Sequence, residues 1–201
     1  MKPYFATTEY TTVASAVLTL LHSFDTSIPL TQEEEFRIWQ QTTILPTRAS
    51  SIFALAKVAK SYGANARIVV ENEEYEFPDY RFYRYSKADV DSAKLSAQLL
   101  REAARNVGVP IEVKEFSLED VNKELSTGHS VLLRLNVKEL RGLKRNSSNY
   151  VILHSFDGSH YSMIDTGDTA RSVPKELIAE CFETLASKKH RDHRMLIFSN
   201  K

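Results

Sequence analysis

The spacing of apolar residues changes from a helical period in the first half of the chain to a strand period in the second half. The first apolar stripe comprises Val13, Ala16, Val17, Leu20, Leu21 and Phe24. Positions three and four apart lie on one helix face, so this spacing predicts an amphipathic helix over residues 13–24. Similar stripes predict helices over 31–43, 49–62 and 86–108. The first of these three is expected to bury Phe36 and Trp39.

Strand-type patterns dominate the rest of the chain. We predict strands over residues 66–70, 111–115, 131–137, 150–156, 160–165 and 195–198, and helices over 117–125 and 174–186. The dipeptide Asp157-Gly158 predicts the hairpin turn between two of these strands, because both residue types tolerate positive φ. The order favours an α+β fold in which N-terminal helices pack on a mainly antiparallel sheet. No repeat or linker interrupts it, so a single domain over 1–201 is expected.

Charge and cysteine content limit the classes of partner. The 201 residues carry 26 basic and 26 acidic side chains. A neutral balance provides no long-range attraction to nucleic acid or to an anionic membrane, and neither is predicted as a partner. Cys181 is the single cysteine, which excludes an intrachain disulfide. With no apolar run near the roughly 20 residues of a membrane span, we predict a cytoplasmic protein.

Three short motifs carry a resemblance to a known family. The first covers residues 6–16 and places Thr12 just before the first apolar helix. The second covers residues 149–157, beginning Asn149-Tyr150-Val151, and the third is Ile164-Asp165-Thr166. Together with the segment 35–42, these motifs are similar to the double-glycine-leader (bacteriocin-processing) peptidases of the papain-like cysteine peptidase superfamily.

The resemblance implies a papain-like fold in which the reactive residues have been replaced. Thr12 stands at the cysteine position, Asn149 at the histidine position and Ala6 at the glutamine position, whereas Asp165 is retained. Such a site needs a thiolate, an imidazole base and an oxyanion donor. A threonine hydroxyl is far harder to deprotonate, an amide is not a base, and an alanine side chain donates no hydrogen bond.

We therefore predict a catalytically inactive, peptidase-like protein, or pseudoenzyme, that binds a peptide or protein partner in the remnant cleft. No catalytic residue is expected, and Tyr10, Thr12, Asn149 and Asp165 are the predicted ligand-binding residues. Thr11 or Thr12 is expected to cap the first helix, and capping is the ordinary interpretation of Thr12. Asp165 is expected either to bond Asn149 or to cap the following turn.

Two other functions are compatible with the residues. One is a hydrolase that uses Thr12 with His154 or His160, or Thr12 exposed as a new N-terminus. The other is a structural subunit of a larger complex. The aromatic segment 75–85 is a candidate partner surface, although half-buried rings are the more ordinary interpretation.

No cofactor or metal is predicted. His154 and His160 lack the accompanying ligands of a zinc site. His190, Asp192 and His193 lie in a basic connector that is more typical of a solvated loop. Cys181 lies among apolar residues and is expected in the core.

Overall fold

The structure is a computed structural model that describes residues 1–74, 77 and 85–199. Within these residues the helices are α1 (Thr12–Phe24), α2 (Gln32–Thr42), α3 (Ile52–Ser61), α4 (Lys87–Asn106), α5 (Leu118–Ser126) and α6 (Lys175–Ser187). The strands are β1 (Thr43–Ile44), β2 (Ala49–Ser50), β3 (Asn65–Val70), β4 (Ile111–Val113), β5 (Ser130–Asn136), β6 (Ser148–Phe156), β7 (His160–Ile164), β8 (Ala170–Pro174) and β9 (Arg194–Ser199).

Seven strands form one sheet in the order β4-β3-β9-β5-β6-β7-β8, and β1 pairs with β2 separately. Every neighbour in the large sheet is antiparallel except the β3–β4 pair. The predicted α+β class with a mainly antiparallel sheet is therefore confirmed.

Alternate residues of the central strands enter two separate cores. Leu132 and Ile152 pack with α1 and α3 on one face, whereas Leu133 and Leu153 pack with α5 and α6 on the other. Because successive side chains of a strand point to opposite faces, a strand covered on both faces has no solvent side. All seven residues of β5 are buried, as this arrangement requires.

Polar side chains determine where several helices begin. Thr31 and Ser51 accept hydrogen bonds from the backbone N–H groups of Glu34 and Ala54, each at 3.3 Å. Ser86 begins α4 with a full capping box that it shares with Asp89. These caps satisfy N–H groups that have no partner inside the helix.

Three predictions of local structure were wrong. Helix α3 begins at Ile52, because Ala49 and Ser50 pair with β1 instead. Phe36 and Trp39 are only half-buried, since α2 turns Ile38 and Glu35 into the protein. Strand β8 was missed because, of its five residues, only Val173 is buried, so it shows no apolar alternation. No helix in the described part of the chain is both long and apolar enough to cross a membrane.

Candidate functional site

Thr12 and Asn149 meet at the first turn of α1. Thr12 is the first residue of the helix and is buried. Asn149 lies near the start of β6, a central strand that packs against α1. The Asn149 amide Nδ2 donates to Thr12 Oγ1 at 3.1 Å, and the Thr12 hydroxyl lies 3.3 Å from Asn149 Oδ1. Two residues 137 positions apart in the chain thus form one neutral hydrogen-bonded pair.

The expected side-chain cap of α1 by Thr11 or Thr12 does not form. Thr11 occupies the N-cap position, and its hydroxyl bonds Thr8 in the preceding turn, so it makes no side-chain cap. Because Thr12 is already helical, its side chain projects from the first turn toward β6. The hydroxyl consequently faces the strand that would supply a base in a cysteine peptidase.

Asp165 lies just beyond β7 and is tied to Arg141 by a bidentate ion pair. Arg141 Nε and Nη2 lie 2.7 and 2.6 Å from the two carboxylate oxygens. The carboxylate also accepts from Gly167 N at 3.1 Å. Of the two roles expected for Asp165, capping the following turn is confirmed, and its carboxylate pairs with Arg141 rather than with Asn149.

The turn after Asp165 clamps the start of α1. Thr166 Oγ1 donates to Thr12 O at 2.5 Å, and Ala6 N donates to Thr166 O at 2.8 Å. A Cβ atom at Gly167 would lie 2.9 Å from both Thr12 Cγ2 and Arg141 Nη2. A larger residue would have to displace the Thr12 or Arg141 side chain, so glycine suits this close contact between the turn and the helix. Ala6 therefore contributes a backbone contact to this region.

A buried carboxylate, Glu35, supports the same turn from inside the protein, and sequence reasoning did not assign it this role. Glu35 Oε1 accepts from Ser15 Oγ at 2.8 Å and from Thr7 N at 2.9 Å. The hydroxyls of Thr7 and Tyr4 donate to its other oxygen. Burial alone would raise the pKa of Glu35, but hydrogen bonds from Thr11, Thr7 and Ser15 outweigh it and the pKa is lowered. The clustering of hydroxyls at 7, 8, 11, 12 and 15 was the available signal.

A small cleft of about 180 Å³ opens beside the Thr12–Asn149 pair. Tyr10 lines one wall, and the guanidinium of Arg48 lies over its ring at 4.6 Å from the centroid. Arg134 also lines the cleft and donates to Ser148 Oγ at 2.8 Å. Three of the four predicted ligand-binding residues (Tyr10, Thr12 and Asn149) line this cleft, whereas Asp165 is buried behind it.

The two hairpin histidines lie far from Thr12. His154 follows Asn149 by five residues in the same strand, a separation of about 16 Å at the rise of an extended chain. His160 begins β7 beyond the hairpin turn and is exposed. Burial lowers the pKa of His154, and the positive N-terminus lowers it further. A register shift interrupts the β6–β7 pairing between Leu153 and Ser155.

The remaining candidates have structural roles. Cys181 is fully buried as predicted, and burial raises its thiol pKa to about 11. His193 was wrongly assigned to a solvated loop: it is buried, with Nδ1 2.7 Å from Glu71 and Nε2 3.0 Å from the Phe182 carbonyl oxygen.

Among the described residues, no three histidine, cysteine or acidic side chains are grouped as metal ligands. Most of the aromatic segment 75–85 lies outside the described residues, although Tyr85 donates to Thr47 O at 3.0 Å.

Helices cover both faces of the sheet, and α1 begins at a cleft against a central strand. Residues 2–199 match the model of the family described as the Peptidase_C39 like family. The match spans nearly the whole chain, and the protein therefore belongs to that family. No curated protein matches the chain.

Proposed function

We propose that this protein is a non-catalytic member of its family that binds a peptide, or an extended segment of a partner protein, in the cleft beside Thr12. The observation that carries the proposal is the neutral Thr12–Asn149 pair at the start of α1. This is the position where a papain-like enzyme needs a thiolate and an imidazole. The pair contains neither group.

Two further features support the loss of chemistry. Ala6 stands at the position of the glutamine that would donate a hydrogen bond to the oxyanion, and an alanine side chain cannot donate one. Asp165, at the position of a residue that orients the base, is held by Arg141 instead. Removal of one member of such a unit typically lowers turnover by about a thousandfold or more, and here three members differ.

The retained scaffold supports binding. The guanidinium of Arg48 lies over the Tyr10 ring in the cleft, and Arg134 is a further lining residue. An aromatic ring with a cation on its face and a rim of backbone and amide groups suits an extended chain, which presents N–H and C=O groups along its length.

A hydrolase that pairs Thr12 with His154 or His160 is disfavoured by the strand spacing of about 16 Å, which no hydrogen bond bridges. A new N-terminus at Thr12 would require removal of residues 1–11. That segment is anchored through Tyr4 N, Ala6 N and Thr7 N, which donate to Thr19, Thr166 and Glu35.

The first experiment restores the missing groups one at a time. In Thr12→Cys, the thiol should alkylate with iodoacetamide only at alkaline pH. In Thr12→Cys/Asn149→His, the neighbouring imidazole should lower the pH at which alkylation begins. Cys181 is an internal control, because its buried thiol has a pKa of about 11 and should stay unlabelled near neutral pH. An equal alkylation profile for the two variants would contradict the assignment of Asn149 to the base position.

The second experiment tests binding and turnover in the unaltered protein. Peptides selected from a random displayed library should remain intact by mass spectrometry and should bind less well to Ala49→Trp, which fills the cleft. Peptide cleavage that Thr12→Ala abolishes would overturn the non-catalytic assignment. Binding that Ala49→Trp leaves unchanged would overturn the cleft as the binding site.

A further inference from the structure

A second cavity lies beside α4 and is separate from the cleft at Thr12. Its volume is about 570 Å³, compared with about 180 Å³ for the cleft. It is lined by residues of α4, of the start of α3 and of the segment that follows β3, and none of its described lining residues also lines the cleft. We call this space the α4 cavity. Its volume lies within the roughly 300–1,000 Å³ that is typical of small-molecule sites.

Part of the lining of the α4 cavity is apolar. Ile44 and Phe53 line it and are only 1% and 4% exposed. Leu95 of α4 also lines the cavity, yet this residue is 58% exposed. An apolar body that enters the cavity would therefore remove a large aliphatic side chain from water, which is favourable.

Two cations line the same cavity without an acidic partner. Lys94 and Arg101 are seven residues apart, so they lie on one face of α4 together with Ala97. Within the described part of the chain, Arg101 makes no hydrogen bond or ion pair, and its Nε atom is buried without an acceptor. Lys94 makes no ion pair with any of the described residues either. Because an arginine side chain stays charged and carries only donors, a ligand oxygen would satisfy a group that these residues leave unsatisfied.

The acidic groups around the cavity restrict the charge of such a ligand. Glu73 and Glu74 line the cavity, and Glu73 pairs with Arg105. Asp91 and Glu102 are exposed on α4 itself. A doubly charged group such as a phosphate would be repelled by these carboxylates, because like charges brought close together are unfavourable. A single negative charge placed at Arg101 is the better match.

A further lining cation, Arg194, is already engaged in the fold. It lies 2.6 Å from Asp192 and donates to the carbonyl oxygens of Asn72 and Glu74 at 3.0 and 2.9 Å. Its role is to hold the segment after β3 against β9, so Arg101 is the guanidinium that a ligand can use.

We propose that the α4 cavity binds a small monocarboxylic acid with an apolar body. The carboxylate pairs with the guanidinium of Arg101, while the apolar body lies against Phe53 and Leu95. Pairs between a guanidinium and a carboxylate are charge-assisted and directional, so they orient a ligand as well as bind it. This site goes beyond the proposed function, because it does not depend on peptide binding in the cleft at Thr12.

The test uses octanoate as the probe and isothermal titration calorimetry as the measurement. Octanamide is the comparison ligand, because it keeps the alkyl chain and carries no charge. The proteins are the unaltered chain, Arg101→Leu, Ala97→Trp, which fills the cavity, and the control Lys57→Leu. Lys57 is exposed on α3 outside the described lining, so the control removes a cation without changing the cavity. Circular dichroism confirms that each variant is folded.

We expect octanoate to bind the unaltered chain and the control with affinities within about twofold of each other. Octanamide should bind the unaltered chain about tenfold more weakly than octanoate, and octanoate should bind Arg101→Leu about tenfold more weakly, because each change removes the charge-assisted pair. Ala97→Trp should not bind octanoate.

The opposite results overturn the proposal at distinct points. Absence of saturable octanoate binding to the unaltered chain would refute the site. Octanamide that binds as tightly as octanoate would refute the carboxylate as the recognised group, and unchanged binding by Arg101→Leu would refute the role of Arg101. Unchanged binding by Ala97→Trp would place the ligand outside the α4 cavity, and its loss in Ala49→Trp would place it in the cleft at Thr12 instead. Peptide selection by the unaltered chain decides the proposed function separately.

Discussion

The start of α1 has two polar surroundings of opposite character. On the cleft side, Thr12 and Asn149 form a neutral pair at 3.1 Å, beside open space. On the interior side, the carboxylates of Glu35 and Asp165 are buried and accept several short hydrogen bonds each. The charged side chains thus stabilise the turn before α1. The uncharged side chains, Thr12 and Asn149, lie at the cleft.

The residues that stabilise the site are therefore different from the residues that line its cleft. A buried charge that is fully bonded stabilises only as long as every partner remains, whereas a partly buried neutral pair beside a cleft can be changed at a smaller cost in stability. The expected energetic consequences of substitution therefore differ strongly between the two sides, and their order can be tested.

The largest effect is expected at Arg141. Arg141→Ala leaves the Asp165 carboxylate buried without its counter-ion and should lower the free energy of unfolding by about 4 kcal/mol, measured by urea denaturation. Lys138→Ala, which breaks the exposed pair between Lys138 and Glu139, should change the free energy of unfolding far less than Arg141→Ala does. In Arg141→Ala/Asp165→Asn the loss should be smaller than in Arg141→Ala. A fully additive double variant would show that the two side chains do not act as a pair.

The next effect is expected at Glu35. Glu35→Ala removes the acceptor of Thr7, Ser15 and Tyr4 together and should destabilise the protein by about 3 kcal/mol. Glu33 supplies the matched control in the same helix, because its side chain is 85% exposed. Glu33→Ala should change stability by less than about 0.5 kcal/mol. Similar losses in the two variants would refute the supporting role of Glu35.

The stability that Glu35 contributes should depend on pH with a defined sign. Its pKa is lowered in the folded protein, because hydrogen bonds from Thr11, Thr7 and Ser15 outweigh the effect of burial. The folded state therefore holds the carboxylate ionised, and the contribution is complete above the ordinary glutamate pKa of about 4.3. It is lost as the pH falls through the lowered pKa. The difference in unfolding free energy between the unaltered protein and Glu35→Gln should thus shrink on acidification; a difference that grows would contradict the shift.

Most helices and strands, and the position of the cleft, could be predicted from the sequence, because strongly periodic segments dominate the fold. The apolar stripe of α1 and the run of β5 predicted their elements to within a residue. The motif around Asn149 led to the expectation of a cleft at Thr12, and the geometry joins the two residues. Long periodic segments are predictable because burial of one face determines both the element and its position.

What the sequence did not show depends on contacts between distant residues. The role of Arg141 arises only when the loop after β5 reaches the end of β7, and nothing in its sequence surroundings indicates that position. Glu35 was assigned to a family-like segment but not to the interior, since a glutamate is rarely buried without partners. Its partners lie on the segment 4–15, which only the folded chain brings to α2.

The smallest effect on stability is expected at the cleft, where it should be accompanied by a large effect on binding. Thr12→Ala and Asn149→Ala each remove one side of a neutral hydrogen bond beside solvent and should cost about 1 kcal/mol or less. Thr127→Ala, at an exposed hydroxyl beyond α5, provides a control for loss of a threonine side chain. Titration with a selected peptide should show weaker binding for both cleft variants and unchanged binding for the control. If instead Thr12→Ala destabilised the protein as much as Glu35→Ala and left peptide binding unchanged, the pair would be part of the scaffold, and the division between the two sides of α1 would not hold.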